Sequence, residues 1–254
     1  MKIIISPAKS LDYNRQIKTP KTSVAPFIDD AEYLVKKLSK LSSKQLEKLM
    51  KLSTNLADLN HHRYQNWKTP NVLDADVQPA ITVFTGEVYK GLDVQSFSDK
   101  DYLNAQHQLR ILSGLYGLLR PLDLMYPYRL EMGTKFNVTS NISNLYAFWK
   151  AKITTYLNEE MGEDEVLINL ASNEYFKAID KKALKARVIT PIFKDLKGDK
   201  LKVIMMYAKH ARGAMAKFII QKQYASIEDL KTYNVDGYSY SDTHSTEDEW
   251  VFIR

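Results

Sequence analysis

Apolar and polar positions along the chain alternate between short saturated runs and helical spacing. Lys2–Ser6 (KIIIS) is short, β-branched and stopped by Pro7, which predicts a buried strand. Residues 29–66 carry the helical period through Leu34, Val35 and Leu38, then Leu46, Leu49 and Met50, then Leu56 and Leu59. Ala80–Thr85 (AITVFT) predicts a strand ended by Gly86. Ser98–Ser113 predicts a helix: Ser98 can cap it, Asp99 and Asp101 suit its positive first turn, and Tyr102, Ala105, Leu109 and Leu112 recur on one face. Asn144–Glu160 predicts another, with Leu145, Phe148, Trp149, Ile153 and Tyr156 inward. Val166–Leu170 reads as a buried strand. Val188–Phe193 and Lys202–Tyr207 flank a Lys197-Gly198-Asp199 turn and predict a hairpin. His210–Tyr224 predicts a helix and Trp250–Ile253 a closing strand. There is no regular strand–helix–strand rhythm and no linker rich in Pro, Gly or Ser. The pattern therefore predicts one compact α+β domain over residues 1–254, built on a mixed sheet.

Charge adds a second layer. The 254 residues hold 36 Lys+Arg against 30 Asp+Glu, a net charge of +6. From Glu228 to Arg254 there are seven acidic and two basic residues, net −5, so the preceding 227 residues carry +11. A basic body with an acidic tail points to phosphate-rich partners, although charge of this size also serves solubility. With 0 cysteines, the chain can have no disulfide framework, thiolate nucleophile, iron–sulfur cluster or Cys-ligated zinc. The first apolar run is too short for a signal peptide, and no stretch approaches the ~18–20 apolar residues of a spanning helix. A cytoplasmic protein without membrane contact is expected.

Three segments concentrate chemistry. In Ser6–Asn14 (SPAKSLDYN) a lysine and two serines follow a strand directly, and Lys9 is a candidate phosphate contact. In Leu109–Lys135 the Gly114-Leu115-Tyr116-Gly117 turn, entered from a predicted helix, suggests a helix-hairpin-helix whose outward amides grip a phosphate backbone. Two residues separate its glycines instead of one, and Pro121 leaves a short second helix, so a plain helical corner is the competing reading. Lys200–Ile227 holds six basic residues (Lys200, Lys202, Lys209, Arg212, Lys217 and Lys222) and no acidic one. Around the predicted helix, Ala211, Ala214, Met215, Phe218 and Ile219 share one side, and Lys209 and Arg212 form a cationic stripe away from it. That stripe is a phosphate-tracking surface or a solvated face.

No dinucleotide-binding, serine-hydrolase or zinc-protease signature is present. Gly86–Gly91 (GEVYKG) has the glycine spacing of a phosphate loop, but Leu92-Asp93 stands where Lys-Ser/Thr is required. The adjacent His61 and His62 point to different sides of a helix. Glu163-Asp164-Glu165 reads as a solvated loop. No metal site and no cofactor are expected.

Several blocks resemble the YaaA peroxide-stress-response family: IISPAKSLDY at Ile4–Tyr13, FTGEVYKGLD at Phe84–Asp93, LRILSGLYGLLRPLDLMYPYRLEMG at Leu109–Gly133, INLASNEYF at Ile168–Phe176, and YAKHARGAMAKFII at Tyr207–Ile220. The resemblance implies a bacterial cytosolic protein that aids survival of hydrogen peroxide, in part by keeping free intracellular iron low. It implies a single α+β domain with a helix-hairpin-helix element and a positively charged cleft. It also implies binding to duplex or distorted DNA, with no membrane and no obligate protein partner. The hairpin then falls on Leu112–Leu124, with Gly114 and Gly117 at its tip, and the cleft draws on Lys9, Arg110, Arg120, Arg129, Lys135, Lys209 and Arg212. No catalytic centre carries over. The rival reading is an enzyme acting on a phosphorylated small molecule or nucleic acid in a pocket of Lys9, Ser10, Asp12, Arg129, Glu131, Asn173 and Tyr175. Direct iron sequestration is the third, with carboxylates available but no evident ligand spacing.

Overall fold

The computed structural model describes residues 1–15, 18–162, 164–222 and 226–254. In chain order its strands are β1 (Lys2–Ile5), β2 (Gln78–Pro79), β3 (Leu109–Ser113), β4 (Gly117–Leu119), β5 (Leu124–Met125), β6 (Val166–Leu170), β7 (Arg187–Lys197), β8 (Lys200–Lys202), β9 (Ser239–Tyr240) and β10 (Glu249–Ile253). Its α-helices are α1 (Ile28–Leu38), α2 (Ser43–Met50), α3 (Thr54–Gln65), α4 (Ala80–Val83), α5 (Glu87–Leu92), α6 (Asp99–Gln108), α7 (Leu145–Glu160), α8 (Asn173–Phe176) and α9 (Met205–Lys222). The main sheet has the order β4-β3-β1-β6-β7-β10-β9, with β8 paired to β7. Strands β3, β1, β6, β7 and β10 run parallel, and β4, β8 and β9 are antiparallel additions. The result is the expected single α+β domain on a mixed sheet.

The apolar run in β1 is buried on both faces and hydrogen-bonded on both sides, with Ile3 opposite Leu109 and Ile168. Saturated runs of this kind belong in the middle of a covered parallel sheet. One hydrophobic cluster extends from Ile3 in β1 to Phe252 in β10 and includes Trp149 of α7 and Met215 of α9. α7 starts where predicted: the Asn144 side chain accepts from the Ala147 amide, and Phe148, Trp149 and Ile153 face inward.

Several elements differ from expectation. The predicted helix Ser98–Ser113 is two elements. Ser98 and Asp101 form a capping box for α6, but the helix stops at Gln108, and Leu109–Ser113 become β3. Leu109 and Leu112 satisfy the helical period, yet all five β3 residues are buried, and a saturated short run has no period that separates strand from helix. Ala80–Thr85, predicted as a strand, contains the helical turn α4; the Ala80 and Ile81 amides donate to the Asp123 and Pro121 carbonyls instead of to a ladder. β8 is Lys200–Lys202 and so shares only Lys202 with the predicted second hairpin arm, and α9 begins at Met205, five residues before the predicted start. Tyr224, the predicted helix end, and Glu163 lie outside the described residues.

The helix-hairpin-helix is also corrected. Leu112–Leu124 contains a β-hairpin: Ser113 pairs with Gly117 and Ile111 with Leu119. Its turn amides point inward, where Ser113 Oγ accepts from Leu115 and Tyr116 at 3.2 and 2.9 Å. Gly114 lies against the Leu130 backbone, and Gly117 (φ +67°) against the Trp149 ring. Buried amides with internal acceptors have nothing to offer a phosphate.

Candidate functional site

Connections leave β1 in two directions across the sheet. β1, β3 and β4 proceed to one side, whereas β6, β7 and β10 proceed to the other. The reversal lies between β1 and β6, and in open parallel sheets the crevice outside the carboxyl ends of such strands is where ligands bind. The loops there are joined: Ser6 Oγ accepts from the Ser172 amide at 2.9 Å and lies 3.2 Å from Ser172 Oγ, and Tyr89 donates its hydroxyl to the Ser6 carbonyl at 3.1 Å. Ser6 and Ser172 were missed as site residues, because only the parallel pairing of β1 with β6 shows that they meet.

Beside this junction Glu131 holds two cations, Lys9 Nζ at 2.8 Å and Arg129 Nη2 at 2.9 Å. Burial opposes ionisation of Glu131, but the hydrogen bonds from Lys9 and Arg129 outweigh it and hold the carboxyl below its usual range. Tyr175 is buried next to them, and burial drives its phenol upward, so it stays protonated. Lys9, Arg129, Glu131 and Tyr175 are thus assembled. Asn173 is exposed in the first turn of α8, and Glu174 accepts from the Gly133 amide at 3.1 Å. Asp12 is engaged by Arg15 at 3.2 Å, and the Ser10 carbonyl accepts from Thr85, so these two belong to the neighbouring turn.

The predicted cleft cations divide into two groups. Arg110 is 2% exposed and bound by Glu160, so it is no surface contact. Arg120 clamps the buried Asp123 at 2.9 Å and donates to the Val24 carbonyl, so its charge is also matched. Gly114 and Gly117 are buried. Lys135, Lys209 and Arg212 have no ion-pair partner among the described residues. Arg212 was expected to face away from the core; α9 is instead buried on two sides, against α5 and against β7, β1 and β6. At 100° per residue Arg212 falls between the buried Ala208, Met215 and Ile219, and it is only partly exposed. Burial lowers its basicity with no carboxylate to offset it.

Two further cations went unrecognised. Lys48 and Lys51, at the end of α2, join Lys135, Glu131 and Glu174 around an open groove of about 860 Å³. Lys51 ends the helix in the left-handed conformation (φ 53°), which turns the chain at the groove's rim. Neither lysine has an ion-pair partner among the described residues. In sequence they were two polar positions of one amphipathic helix among several.

Among the described residues no group of three or more His, Asp or Glu side chains could hold a metal ion, and no helix is long and apolar enough to cross a membrane.

Comparison with known proteins is consistent across the chain. It is 49% identical over 256 aligned positions to a UPF0246 protein of Colwellia psychrerythraea, spanning 100% of this chain and 99% of the relative. A UPF0246 protein of Saccharophagus degradans is 47% identical over 256 positions, again 100% of this chain and 99% of the relative. One of Flavobacterium johnsoniae is 48% identical over 254 positions, covering 100% of both. The profile of the family described as peroxide stress protein YaaA matches residues 1–244. The chain therefore belongs to the YaaA family of peroxide stress proteins.

Proposed function

We propose that this chain serves the peroxide stress response as a cytoplasmic DNA-binding protein, holding the phosphate backbone along the carboxyl edge of its sheet. One observation carries the reading: Lys48, Lys51, Lys135, Lys209 and Arg212 all lack an ion-pair partner among the described residues. Three of them rim one open groove. Arg212, half-buried without an anion, is the position where a bound phosphate would offset the most desolvation. The backbone is gripped through cations rather than hairpin amides, so sequence discrimination is weak. The family resemblance extends the role to keeping free intracellular iron low, through protection or control of DNA rather than through a binding site for iron.

Titration of a labelled duplex by fluorescence anisotropy at several KCl concentrations tests this. Neutralisation of about four phosphates gives a slope of log K against log[KCl] of about −3.6. Reversing Lys48, Lys51 and Lys135 to Glu should weaken binding to unrelated sequences equally, by at least about 30-fold, and flatten the slope by about 3. A slope near zero in the unmodified protein refutes the reading. Arg212→Ala should leave Tm within about 2 °C, since no partner is orphaned, and should abolish any rise in Tm on adding inorganic phosphate.

The bridging of Lys9 and Arg129 by Glu131, beside the Ser6–Ser172 junction, favours a second reading: an enzyme that positions a phosphorylated small molecule at the switch point. Under it, nucleoside monophosphates raise Tm and the Lys9→Ala, Arg129→Ala variant loses that rise, whereas duplex affinity is unchanged.

A further inference from the structure

The chain has no cysteine, so its eight methionines carry all of its sulfur. Met125, Met132 and Met215 are fully buried, and Met1, Met50 and Met161 are partly buried against the core. Met205 and Met206, in the first turn of α9, are 59% and 55% exposed. The two thioethers are equally accessible but face different surroundings. Successive helical residues turn by about 100°, so Met205 shares its side of α9 with Lys209 and Arg212, whereas Met206 shares its side with His210.

Met206 borders a cavity of about 390 Å³. Tyr207 and His210 of α9, Glu87 of α5 and Asp236 of the 3-10 turn Val235–Gly237 line it as well. A helical side chain leans toward the N-terminus of its helix, so the His210 ring covers the turn that carries Met206. His210 Nε2 lies 3.5 Å from Asp236 Oδ2. The Tyr207 hydroxyl has no hydrogen-bond partner among the described residues. The wall beside these groups is fixed by Arg254, which donates to Asp195 from Nε at 2.8 Å and from Nη2 at 2.6 Å, and to the Asp236 carbonyl at 3.3 Å. Its guanidinium also lies 4.6 Å from the ring centres of both Tyr207 and Tyr238. Glu87 is held by Lys90 at 2.6 Å. The polar groups around Met206 are therefore in place before any ligand arrives.

When hydrogen peroxide oxidises a thioether, a sulfur–oxygen bond forms and the peroxide O–O bond breaks. The sulfur loses two electrons and becomes the sulfoxide, and the peroxide is reduced to water. The balance requires the proton on the transferred oxygen to reach the departing one. Bulk water carries that proton at an ordinary exposed methionine. In this cavity an imidazole and a phenol, each able to accept and to donate, stand next to the sulfur. We propose that Met206 is a peroxide-reactive site, with hydrogen peroxide as the substrate, His210 and Tyr207 as the proton relay and Asp236 as the group that orients the imidazole. Met205 has cations beside it and no such relay, so it reacts at the rate of any exposed methionine. The sulfoxide is restored to the thioether by methionine sulfoxide reductases, so the site can be used again. Membership of a peroxide stress family places the chain where this oxidant rises. The proposal is independent of DNA binding.

The test treats the full chain with millimolar hydrogen peroxide, quenches with catalase at intervals and digests with trypsin. Cleavage after Lys202 and Lys209 releases the peptide Val203–Lys209, whose fragment ions distinguish Met205 from Met206. Met206 sulfoxide should form at least about tenfold faster than Met205 sulfoxide. His210→Gln and Tyr207→Phe should each slow Met206 by at least about fivefold and leave Met205 unchanged. Met205 thus reports, in the same molecule, that α9 is folded and accessible, and the Tm of each variant is a second check. In urea, which unfolds the unmodified chain, the two rates should become equal. Equal rates in the folded protein overturn the proposal, as does an advantage of Met206 that survives in both variants or in urea. No nucleic acid is present, so either result leaves the duplex titration to be judged by itself.

Discussion

Gly213→Ala is expected to lower Tm by at least about 8–16 °C, the equivalent of about 4 kcal/mol at this chain length. α5 and α9 cross with their backbones in contact at two glycines. A Cβ on Gly213 would stand 1.7 Å from the Val88 carbonyl oxygen and 2.7 Å from the Leu92 amide nitrogen. One on Gly91 would stand 2.1 Å from the His210 carbonyl oxygen. No rotamer change relieves a clash with backbone, so the helices must separate. Overpacking commonly costs about 1–3 kcal/mol where side chains can yield, and more where they cannot. Separation also strains what the crossing supports: the Lys217–Asp93 ion pair at 2.8 Å, and the docking of Met215 and Ile219 in the core. Gly91→Ala should behave alike, and the double variant should cost less than the sum, since the first clash already parts the helices. Gly198→Ala is the control: nothing lies within 4 Å of its added Cβ, so only the left-handed backbone is penalised, by about 1 kcal/mol. Calorimetry decides; a loss under about 4 °C for Gly213→Ala would mean the crossing is looser than described.

This crossing shows what sequence reading reaches and what it does not. Gly91 and Gly213 are 122 positions apart; Gly91 was visible only through the phosphate-loop spacing it shares with Gly86, and Gly213 only as a glycine inside a predicted helix. The elements that were legible have a local cause: the Ser98 capping box, the Asn144 cap, and the β-branched run of β1. β3 was misread because a fully buried strand erases the alternation that identifies strands. The site follows the same rule. The cations could be enumerated, but their partners could not, since Lys9 meets Glu131 and Arg110 meets Glu160 only through the fold. The pairing of Arg120 with Asp123 was within reach, being three residues apart with Pro121 bending the chain between them. Lys48 and Lys51 gain significance only when the 133–137 segment closes the other side of their groove.

Glu160→Gln is expected to cost about 3 kcal/mol and leave DNA affinity unchanged, which separates Arg110 from the cationic edge. Arg110 lies within β3 at 2% exposure, and Glu160 engages it twice, Nε to Oε2 at 2.7 Å and Nη2 to Oε1 at 2.9 Å. The remaining guanidinium donors reach the Gln106 and Leu109 carbonyls. Tyr156 donates to the same carboxylate at 2.7 Å. Removing the negative charge leaves Arg110 uncompensated beside Lys2, whose ammonium is already disfavoured by burial and by Arg110. Burial alone would raise the Glu160 pKa, but bonds from Arg110 and Tyr156 prevail, so its folded value is below the usual one. A carboxyl depressed in the folded state stabilises above its unfolded pKa of about 4.3, and that stabilisation is lost as pH falls through the lower folded value. The unmodified protein should therefore lose more Tm between pH 5 and pH 3 than Glu160→Gln, so that the two melting curves converge in acid. At neutral pH the variant should melt about 6–12 °C lower and bind duplex within about threefold of the original. Parallel curves across the acid range, or a loss of duplex affinity in the folded variant, would return Arg110 to the binding surface.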